Sequence, residues 1–368
     1  MMFHQNSEEK GSLAPSTSKE PLSDEARAVL RTLGLEDPDD FAFETDSDPG
    51  RVSIVHGVTA EVTWCDVKGV ETTSTCQFAT NLNLGPVAGD WVSVRDGYVV
   101  AVSPRRTELR RPIPNQVEMQ VLAANTDIVL VVLPIDRELN LLMLERLAVM
   151  AFDSGAQPLV VLTKSDGSEI VDSVVAEARQ TVPGVRVMTT SSTSGYGIED
   201  LRSLLHEGVT AVMLGASGAG KTSLLNALEG TSEVTLSVSR GGEGRHATTT
   251  RRLYRLSSGG VLLDIPGIRL LDLTVGEEGL NEAFTDIAEL AEHCRFSDCS
   301  HDGDEGCAVE RAVRDGRLPL RRLESWRAIR AEMVAQEVRR DAPVESGKKK
   351  LRRPLPEIEF DDDDYDVE

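Results

Sequence analysis

The chain has 368 residues, a formal net charge of −22 and five cysteines, and 40% of its residues are hydrophobic. This length predicts two to three domains with ordinary hydrophobic cores. The longest apolar run, residues 128–135, is too short to span a bilayer, and the first ten residues lack the apolar stretch of a signal peptide. Five cysteines are too few for a disulfide framework in a chain this long, so we expect a cytoplasmic protein that does not bind membranes.

The acidic residues are concentrated at both ends of the chain. Residues 1–50 hold twelve acidic and four basic side chains, and residues 357–368 hold eight acidic and none basic, so each end carries −8. We expect an acidic, largely disordered extension over residues 1–48, and a basic linker with an acidic disordered tail over residues 341–368. Basic clusters elsewhere are either solvated surface charges or contacts for nucleic acid: Arg105, Arg106, Arg110 and Arg111; Arg321, Arg322, Arg327 and Arg330; and Lys348 to Lys350 with Arg352 and Arg353.

Short alternating segments follow the N-terminal extension. RVSIVHG, AEVTWCDV, CQFATNLN, GDWVSVRDG and YVVAVSP place Val, Thr and aromatic residues between turn residues at spacings near ten. Five strands of this kind predict an OB-type barrel over residues 49–112, a fold that often holds oligonucleotides. A small barrel without that role is the alternative, since a fold does not fix a function.

Buried strands then alternate with helices. DIVLVVLPI, PLVVLTKSD, VRVMTT and VTAVML are apolar strand patterns, and LLMLERLAVMAF, VDSVVAEARQ and TSLLNALEG between and after them are helical. Strands with continuous apolar runs are typical of a parallel sheet that is covered on both faces. The pattern therefore predicts an α/β domain over residues 113–275. An arginine-rich helix is expected at about residues 318–340.

A phosphate-binding loop follows the strand VTAVML. GASGAGKTS fits G-x-x-x-x-G-K-[ST] and lies between a strand and a helix, as the mechanism requires. Backbone N–H groups of such a loop face the phosphates, Lys221 reaches the β- and γ-phosphates, and Thr222 ligates Mg²⁺. The predicted loop residues are Gly215, Ala216, Ser217, Gly218, Ala219, Gly220, Lys221, Thr222 and Ser223. This motif predicts a nucleoside triphosphate but does not name its base.

A second phosphate-side element is DIPG, residues 264–267, at the end of another apolar strand. Asp264 is placed to bind near Mg²⁺, and the N–H group of Gly267 is placed to contact the γ-phosphate. The glycine-rich loop between the two motifs ends in Thr248, Thr249 and Thr250. We expect Thr248 or Thr249 to close over Mg²⁺ and the γ-phosphate, although a mobile loop without this role is the alternative.

The base is expected to be chosen by TKSD, residues 163–166, at the end of PLVVL. The Asp166 carboxylate can accept hydrogen bonds from N1–H and the 2-amino group of guanine, and adenine has neither donor. Lys164 can lay its stem along the base, and Ser165 completes the loop. Ser191 and Ser192 end the next strand and are placed to offer a backbone N–H group to guanine O6.

Three cysteines and one histidine lie within fourteen residues. Cys294, Cys299, His301 and Cys307 have the spacing C-x₄-C-x-H-x₅-C. Three thiolates and one imidazole form a closed tetrahedral set, so we predict one structural Zn²⁺ ion in a helical module over residues 276–340. Buried free thiols beside an incidental histidine are the alternative, and the neighbouring His293 is a second choice as ligand.

Along the chain, the two base-binding elements, TKSD and the serines at 191 and 192, come first. The phosphate-binding loop, the loop with the threonines and D-x-x-G follow. Ordinary small GTPases begin with the phosphate-binding loop, so the order here is rotated. With TKSD, GASGAGKTS, GRHATTT, DIPGIR and CRFSDCSHDGDEGCAV in this order, the chain resembles the ribosome small-subunit-dependent GTPase A family of circularly permuted GTPases over about residues 50–335. The resemblance implies an α/β, circularly permuted P-loop GTPase domain between an OB-type barrel and a zinc module. It also implies that the protein binds the 30S subunit and its 16S rRNA late in maturation, with weak intrinsic hydrolysis that the ribosome raises.

Three positions depart from common GTPase patterns. Thr163 stands where Asn is usual, so we expect a weaker hydrogen bond bracing the base loop, and Ala247 replaces a usual threonine. Ile268 stands where small GTPases often place a glutamine, and an alkyl chain cannot orient water. His246 is the candidate to position the nucleophilic water in cis, with a solvent-facing loop histidine as the alternative.

The sequence therefore predicts a GTPase, expected to be monomeric, that turns GTP and water into GDP and phosphate with Mg²⁺. Its candidate catalytic residues are Lys221, Thr249, Gly267 and His246. A nucleotide-regulated RNA-binding protein with negligible turnover is one alternative. A P-loop ATPase or nucleotide kinase is another, and TKSD argues against it.

Overall fold

The computed structural model describes residues 22–37, 41, 43–82, 84–113, 119–166, 170–230, 252–265 and 276–341, without the side chains of residue 112 and residues 337–341. Within these ranges no helix combines the length and the apolar character needed to cross a membrane. The predicted switch residues His246, Thr248, Thr249, Gly267 and Ile268 lie outside the described residues, as do most of the two charged ends.

Five strands form a closed barrel in the order β1-β2-β3-β5-β4, as the sequence predicts. They are β1 (Asp48–His56), β2 (Thr59–Cys65), β3 (Glu71–Phe78), β4 (Trp91–Arg95) and β5 (Tyr98–Val102). Asp96 and Gly97 both have positive φ in the β4–β5 turn, a conformation that suits a tight hairpin. Alternate side chains fill the interior, among them Val52, Val62 and Val92.

A helix in the predicted N-terminal extension covers one side of this barrel. Helix α1 (Asp24–Thr32) is capped by Ser23, whose hydroxyl accepts a hydrogen bond from the N–H group of Ala26. Leu30 of this helix is fully buried in a cluster that includes Trp91 of the barrel. The boundary predicted at residue 49 therefore separates an ordered helix from the domain on which it packs.

A hairpin of β6 (Glu108–Pro112) and β7 (Met119–Ala124) connects the barrel to the α/β domain. In that domain the strands are β8 (Ile128–Pro134), β9 (Gln157–Thr163), β10 (Arg186–Thr189), β11 (Thr210–Leu214), β12 (Arg252–Arg255) and β13 (Val261–Asp264). The helices are α2 (Leu141–Asp153), α3 (Val171–Thr181), α4 (Ile198–Leu204) and α5 (Lys221–Glu229).

The sheet of this domain has the order β10-β9-β8-β11-β13-β12. Its first five strands are parallel, and β12 is added antiparallel at the edge. Helices α2 and α3 pack on one face and α4 and α5 on the other. Because parallel strands share their direction, the loops after β8, β9, β10, β11 and β13 all emerge at one edge of the sheet, where open α/β sheets bind ligands.

Arg51 joins the barrel to the α/β domain. Its guanidinium group is fully buried and donates hydrogen bonds to the hydroxyl of Thr210 on β11 at 2.7 Å and to the carbonyl of Asn125 at 2.9 Å. The group also stacks on the ring of Trp91, with its carbon 4.7 Å from the ring centroid. Burial lowers the pKa of Arg51 to about 9, so these acceptors compensate for a charge removed from water.

A helical module follows the sheet. It contains α6 (Glu277–Ala283), α7 (Thr285–Ala291), α8 (Ala308–Arg314) and α9 (Leu320–Asp341). Arg322 of α9 is buried and donates to Glu145 of α2 at 2.9 Å and to both carboxylate oxygens of Asp286, while it stacks on Phe284. The module is thus joined to the α/β domain through a buried network of charged groups.

Two arginines of the predicted basic clusters have structural roles instead of a free surface charge. Arg322 is 2% exposed in the network just described. The Arg105 side chain is 4% exposed and makes two hydrogen bonds to the Asp90 carboxylate, at 2.7 and 2.8 Å. Sequence alone could not separate these side chains from solvated ones, because their acidic partners are not close to them in the chain. Asp90 is 15 residues from Arg105, and Glu145 is 177 residues from Arg322.

Candidate functional site

The phosphate loop has the backbone that its glycines predict. Gly218 and Gly220 have φ values of +71° and +91°, a region that side chains other than glycine seldom adopt. A Cβ atom on Gly215 would lie 2.3 Å from the carbonyl oxygen of Val132, so only glycine lets the loop pass this close to β8. Helix α5 begins directly afterwards, at Lys221.

Lys221 folds back over this loop. Its ammonium group donates to the carbonyls of Gly215 at 2.7 Å and Ala216 at 2.8 Å. Burial lowers the pKa of Lys221, and the negative charge of Asp264 acts in the opposite direction. Burial likewise raises the pKa of Asp264, with Lys221 opposing it. The end of β13 and the start of α5 therefore place an acidic and a basic side chain close enough for their charges to interact.

The other predicted phosphate-loop positions differ in their exposure to solvent. Ala219 is buried, whereas four positions are exposed: Ser217, Gly218, Thr222 and Ser223. Thr222 stands in the first turn of α5, directly after Lys221.

Thr163 links the predicted base loop to the phosphate loop. Its side chain is buried, and its hydroxyl donates to the carbonyl of Ala219 at 2.6 Å. The threonine that stands where asparagine is usual therefore makes a bracing bond through its hydroxyl, and the expectation that this brace is weaker than an asparagine's stays a prediction. TKSD and GASGAGKTS are therefore joined directly by a buried hydrogen bond.

Asp166 is held in position by Ser191. The Ser191 hydroxyl donates to the carboxylate at 2.6 Å, and this bond lowers the pKa of Asp166, so the carboxylate is ionised and can only accept. The side chain is exposed. The carboxylate is therefore open to a ligand at this edge of the sheet.

The neighbouring loop positions differ in their engagement. The N–H group of Ser191 donates to the carbonyl of Tyr196 at 3.0 Å, so this group is used within the loop. The predicted contact to guanine O6 then rests on Ser192, which is exposed. The N–H group of Ser165 donates to the carbonyl of Thr190, and Lys164 has a positive φ of 60°. Sequence analysis did not predict the side-chain role of Ser191, which depends on two loops meeting.

The predicted metal ligands come together in the helical module. One donor atom from each of Cys294, Cys299, His301 and Cys307 lies within 4.8 Å of the others. Nδ1 of His301 is 3.6 Å from the Cys294 sulfur and 3.5 Å from the Cys307 sulfur. Burial lowers the pKa of His301, which favours the neutral ring that a metal needs. The donor set fits a tetrahedral structural ion.

Outer contacts fix these ligands. The N–H group of Ala308 donates to the Cys294 sulfur and that of Glu310 to the Cys307 sulfur, both at 3.3 Å. Trp326 of α9 packs against the His301 ring with centroids 5.1 Å apart, and Arg327 donates to the His301 carbonyl. Such surroundings orient metal ligands, so the cluster ties the loop before α8 to α9.

The fold and the site together define a circularly permuted P-loop GTPase, in which the base loop precedes the phosphate loop in the chain. The RsgA GTPase family profile matches residues 102–274. The chain is 44% identical over 254 residues to the small ribosomal subunit biogenesis GTPase RsgA of Streptomyces coelicolor, covering 66% of this chain and 69% of that relative. It is 37% identical over 290 residues to the protein of the same description from Syntrophotalea carbinolica, covering 74% and 79%. The chain therefore belongs to the RsgA GTPase family.

Two solved structures have the same architecture. The crystal structure of YjeQ from Thermotoga maritima superposes with a TM-score of 0.59 at 26% identity, covering 78% of this chain and 98% of that one. YloQ, described as a circularly permuted GTPase, superposes with a TM-score of 0.59 at 24% identity, covering 79% and 96%, and supports the fold alone.

Proposed function

We propose that this protein binds the small ribosomal subunit late in its maturation and hydrolyses GTP to GDP and phosphate, with the subunit raising the rate. The observation that carries the proposal is the hydrogen bond between Thr163 and Ala219, because it fixes the base loop and the phosphate loop as one nucleotide surface. The curated relatives are named for biogenesis of this subunit and support the choice of partner.

The nucleotide is proposed to lie along the edge of the sheet. Asp166 accepts from the guanine edge, and the Ser191 hydroxyl holds the carboxylate in place by a hydrogen bond. At the other end, Lys221 exchanges its two carbonyl partners for phosphate oxygens, and the N–H groups at the start of α5 face the same charge. Lys164, Ser165 and Ser192 complete the base side of the pocket.

Thr222 and Asp264 are proposed to hold Mg²⁺, together with Thr248 or Thr249 from the loop outside the described residues. Bound with the triphosphate, Mg²⁺ neutralises charge that develops on the phosphate oxygens. Burial disfavours the charged form of Asp264, and the charge of Lys221 opposes this effect. A bound Mg²⁺ ion would add a second positive charge and stabilise the ionised carboxylate further. Gly267 and His246 are the proposed contacts for the γ-phosphate and the attacking water.

The metal in the cysteine cluster is proposed to be one structural Zn²⁺ ion, since three sulfurs and an imidazole leave no position for water. The segment after Asp264 leads into this module. GTP is therefore proposed to order the switch loops and set the module relative to the barrel, giving a surface that grips 16S rRNA. The protein is proposed to act as a cytoplasmic monomer.

Binding to purified 30S subunits tests this function. Sedimentation should show tight association with a non-hydrolysable GTP analogue and weaker association with GDP. Equal affinity in both states would contradict the proposed switch. Competition with ATP separates the ATPase alternative, because excess ATP should leave bound GTP in place.

A further inference from the structure

The loop between β8 and α2 lies at the nucleotide edge of the sheet but carries no sequence motif. β8 stands between β9, which ends in the base loop, and β11, which ends in the phosphate loop. The loop after β8 therefore emerges between the two halves of the proposed pocket. It contains adjacent side chains of opposite charge, Asp136 and Arg137.

Asp136 contacts the base loop. Its Oδ2 atom accepts from the ammonium group of Lys164 at 2.7 Å, and its Oδ1 atom lies 3.8 Å from Nε of Arg137. All three side chains are about two-fifths exposed, so a ligand at this edge of the sheet can reach them. One carboxylate thus orients both the lysine beside the base and an arginine.

Arg137 borders the phosphate loop. Its Nη2 atom lies 3.8 Å from the point that a Cβ atom would occupy on Gly218, and among the described residues no other atom beyond the chain neighbours of Gly218 comes within 4 Å of that point. Gly218 is exposed in the middle of GASGAGKTS and has φ +71°. The guanidinium group therefore lies beside the exposed middle of the phosphate loop.

We propose that Arg137 is a second cationic contact for the nucleotide's phosphates, with Asp136 as its positioning residue. This inference rests on the proposed function, since it assigns a further residue to the same pocket. A guanidinium group presents several N–H donors in a planar arrangement that suits phosphate oxygens. Lys221 supplies one cation from the start of α5, and Arg137 supplies another from the loop after β8.

Calorimetric titration of the full-length protein with GDP and GTP tests the assignment. Arg137→Ala should weaken both affinities by about tenfold, the loss expected for one charge-assisted hydrogen bond. Arg137→Lys should recover part of the loss. Arg317→Ala is the matched control, because Arg317 is similarly exposed and pairs with the nearby Asp315 at 3.4 Å in the helical module, and its affinities should equal those of the wild type.

A second readout separates phosphate contact from an indirect effect through Lys164. The ratio of GDP to IDP affinity depends on the 2-amino group of the base, so Arg137→Ala should leave this ratio unchanged. A collapsed ratio, or GDP and GTP affinities of Arg137→Ala that stay at the wild-type values, overturns the inference. Wild-type protein that bound no guanine nucleotide would overturn the proposed function as well, whereas normal wild-type binding with an unaffected variant overturns the inference alone.

Discussion

The hydroxyl of Thr163 and the carbonyl of Ala219 are joined by a hydrogen bond of 2.6 Å, although 56 residues separate them in the chain. One residue ends β9 in the base loop, and the other lies inside the phosphate loop. The bond is buried, so water cannot replace either partner. In this permuted chain, it connects the two halves of the nucleotide site across the neighbouring strand β8.

Thr163→Val should weaken nucleotide binding, although the valine side chain has nearly the same shape as that of threonine. Valine leaves the Ala219 carbonyl without its donor, which costs about 1–3 kcal/mol, so GDP affinity should fall by about tenfold or more. Thr163→Ser retains the hydroxyl and is the matched control. Fluorescence titration with a labelled GDP measures both, and a valine variant that binds like the serine variant contradicts the bracing role.

Asp166→Asn should change base preference. An amide donates as well as accepts, so it no longer matches the two donors of guanine but can donate to the 2-carbonyl of xanthine. We expect GDP affinity to fall by at least about a hundredfold and xanthosine diphosphate to bind better than GDP. Competition between the two nucleotides measures this preference. A variant that still prefers GDP would place the base elsewhere.

Magnesium binding should depend on the protonation of Asp264. Burial raises the pKa of this carboxyl above its ordinary value of 3.8, with the charge of Lys221 opposing the shift. Its contribution to folding stability is therefore present at low pH and is lost as the pH rises through the raised pKa. Magnesium needs the ionised form, so its affinity for the nucleotide complex should fall as the pH decreases through that pKa.

Magnesium titrations of the GDP complex across a pH series measure this effect. Asp264→Asn should bind magnesium more weakly and should lose the part of the pH dependence that belongs to the carboxyl. If the wild type and this variant follow the same pH curve, Asp264 is not a ligand.

Removal of the proposed Zn²⁺ ion should unfold the helical module before the sheet. The ligands belong to the cluster that buries Trp326 and Phe284, and structural metal sites contribute directly to folding. Cys307→Ser should lower bound zinc from one ion per chain to none. It should also expose Trp326 to water, which shifts its fluorescence emission to longer wavelength. Cys76→Ala is the control, since Cys76 lies in the barrel interior. Full zinc content in Cys307→Ser would exclude this donor set.

Strand and loop chemistry could be predicted where it depends on neighbours in the chain. β8 and β11 are short apolar runs ended by polar or glycine residues, and the helix at Lys221 follows a loop whose glycines require special φ values. The cysteine cluster was predictable for a similar reason, because its four ligands lie within fourteen residues.

Features that depend on contacts between distant segments were not predictable. Nothing in the sequence around Thr163 indicates that its hydroxyl bonds to Ala219. The positive charges of Arg105 and Arg322 likewise do not indicate that these side chains are buried in ion pairs with Asp90 and Glu145. Helix α1 lies in the extension that the sequence predicts to be largely disordered. Its burial depends on later strands, because these form the barrel surface that covers Leu30.

The most direct test of the central claim is the rate of phosphate release from GTP with and without purified 30S subunits. The wild type should release phosphate slowly alone and many times faster with the subunits, and Lys221→Ala should remove the stimulated rate, because its ammonium group can no longer reach the phosphates. A wild-type rate that is unchanged by 30S subunits would contradict the claim and leave a nucleotide-regulated RNA-binding protein as the better description.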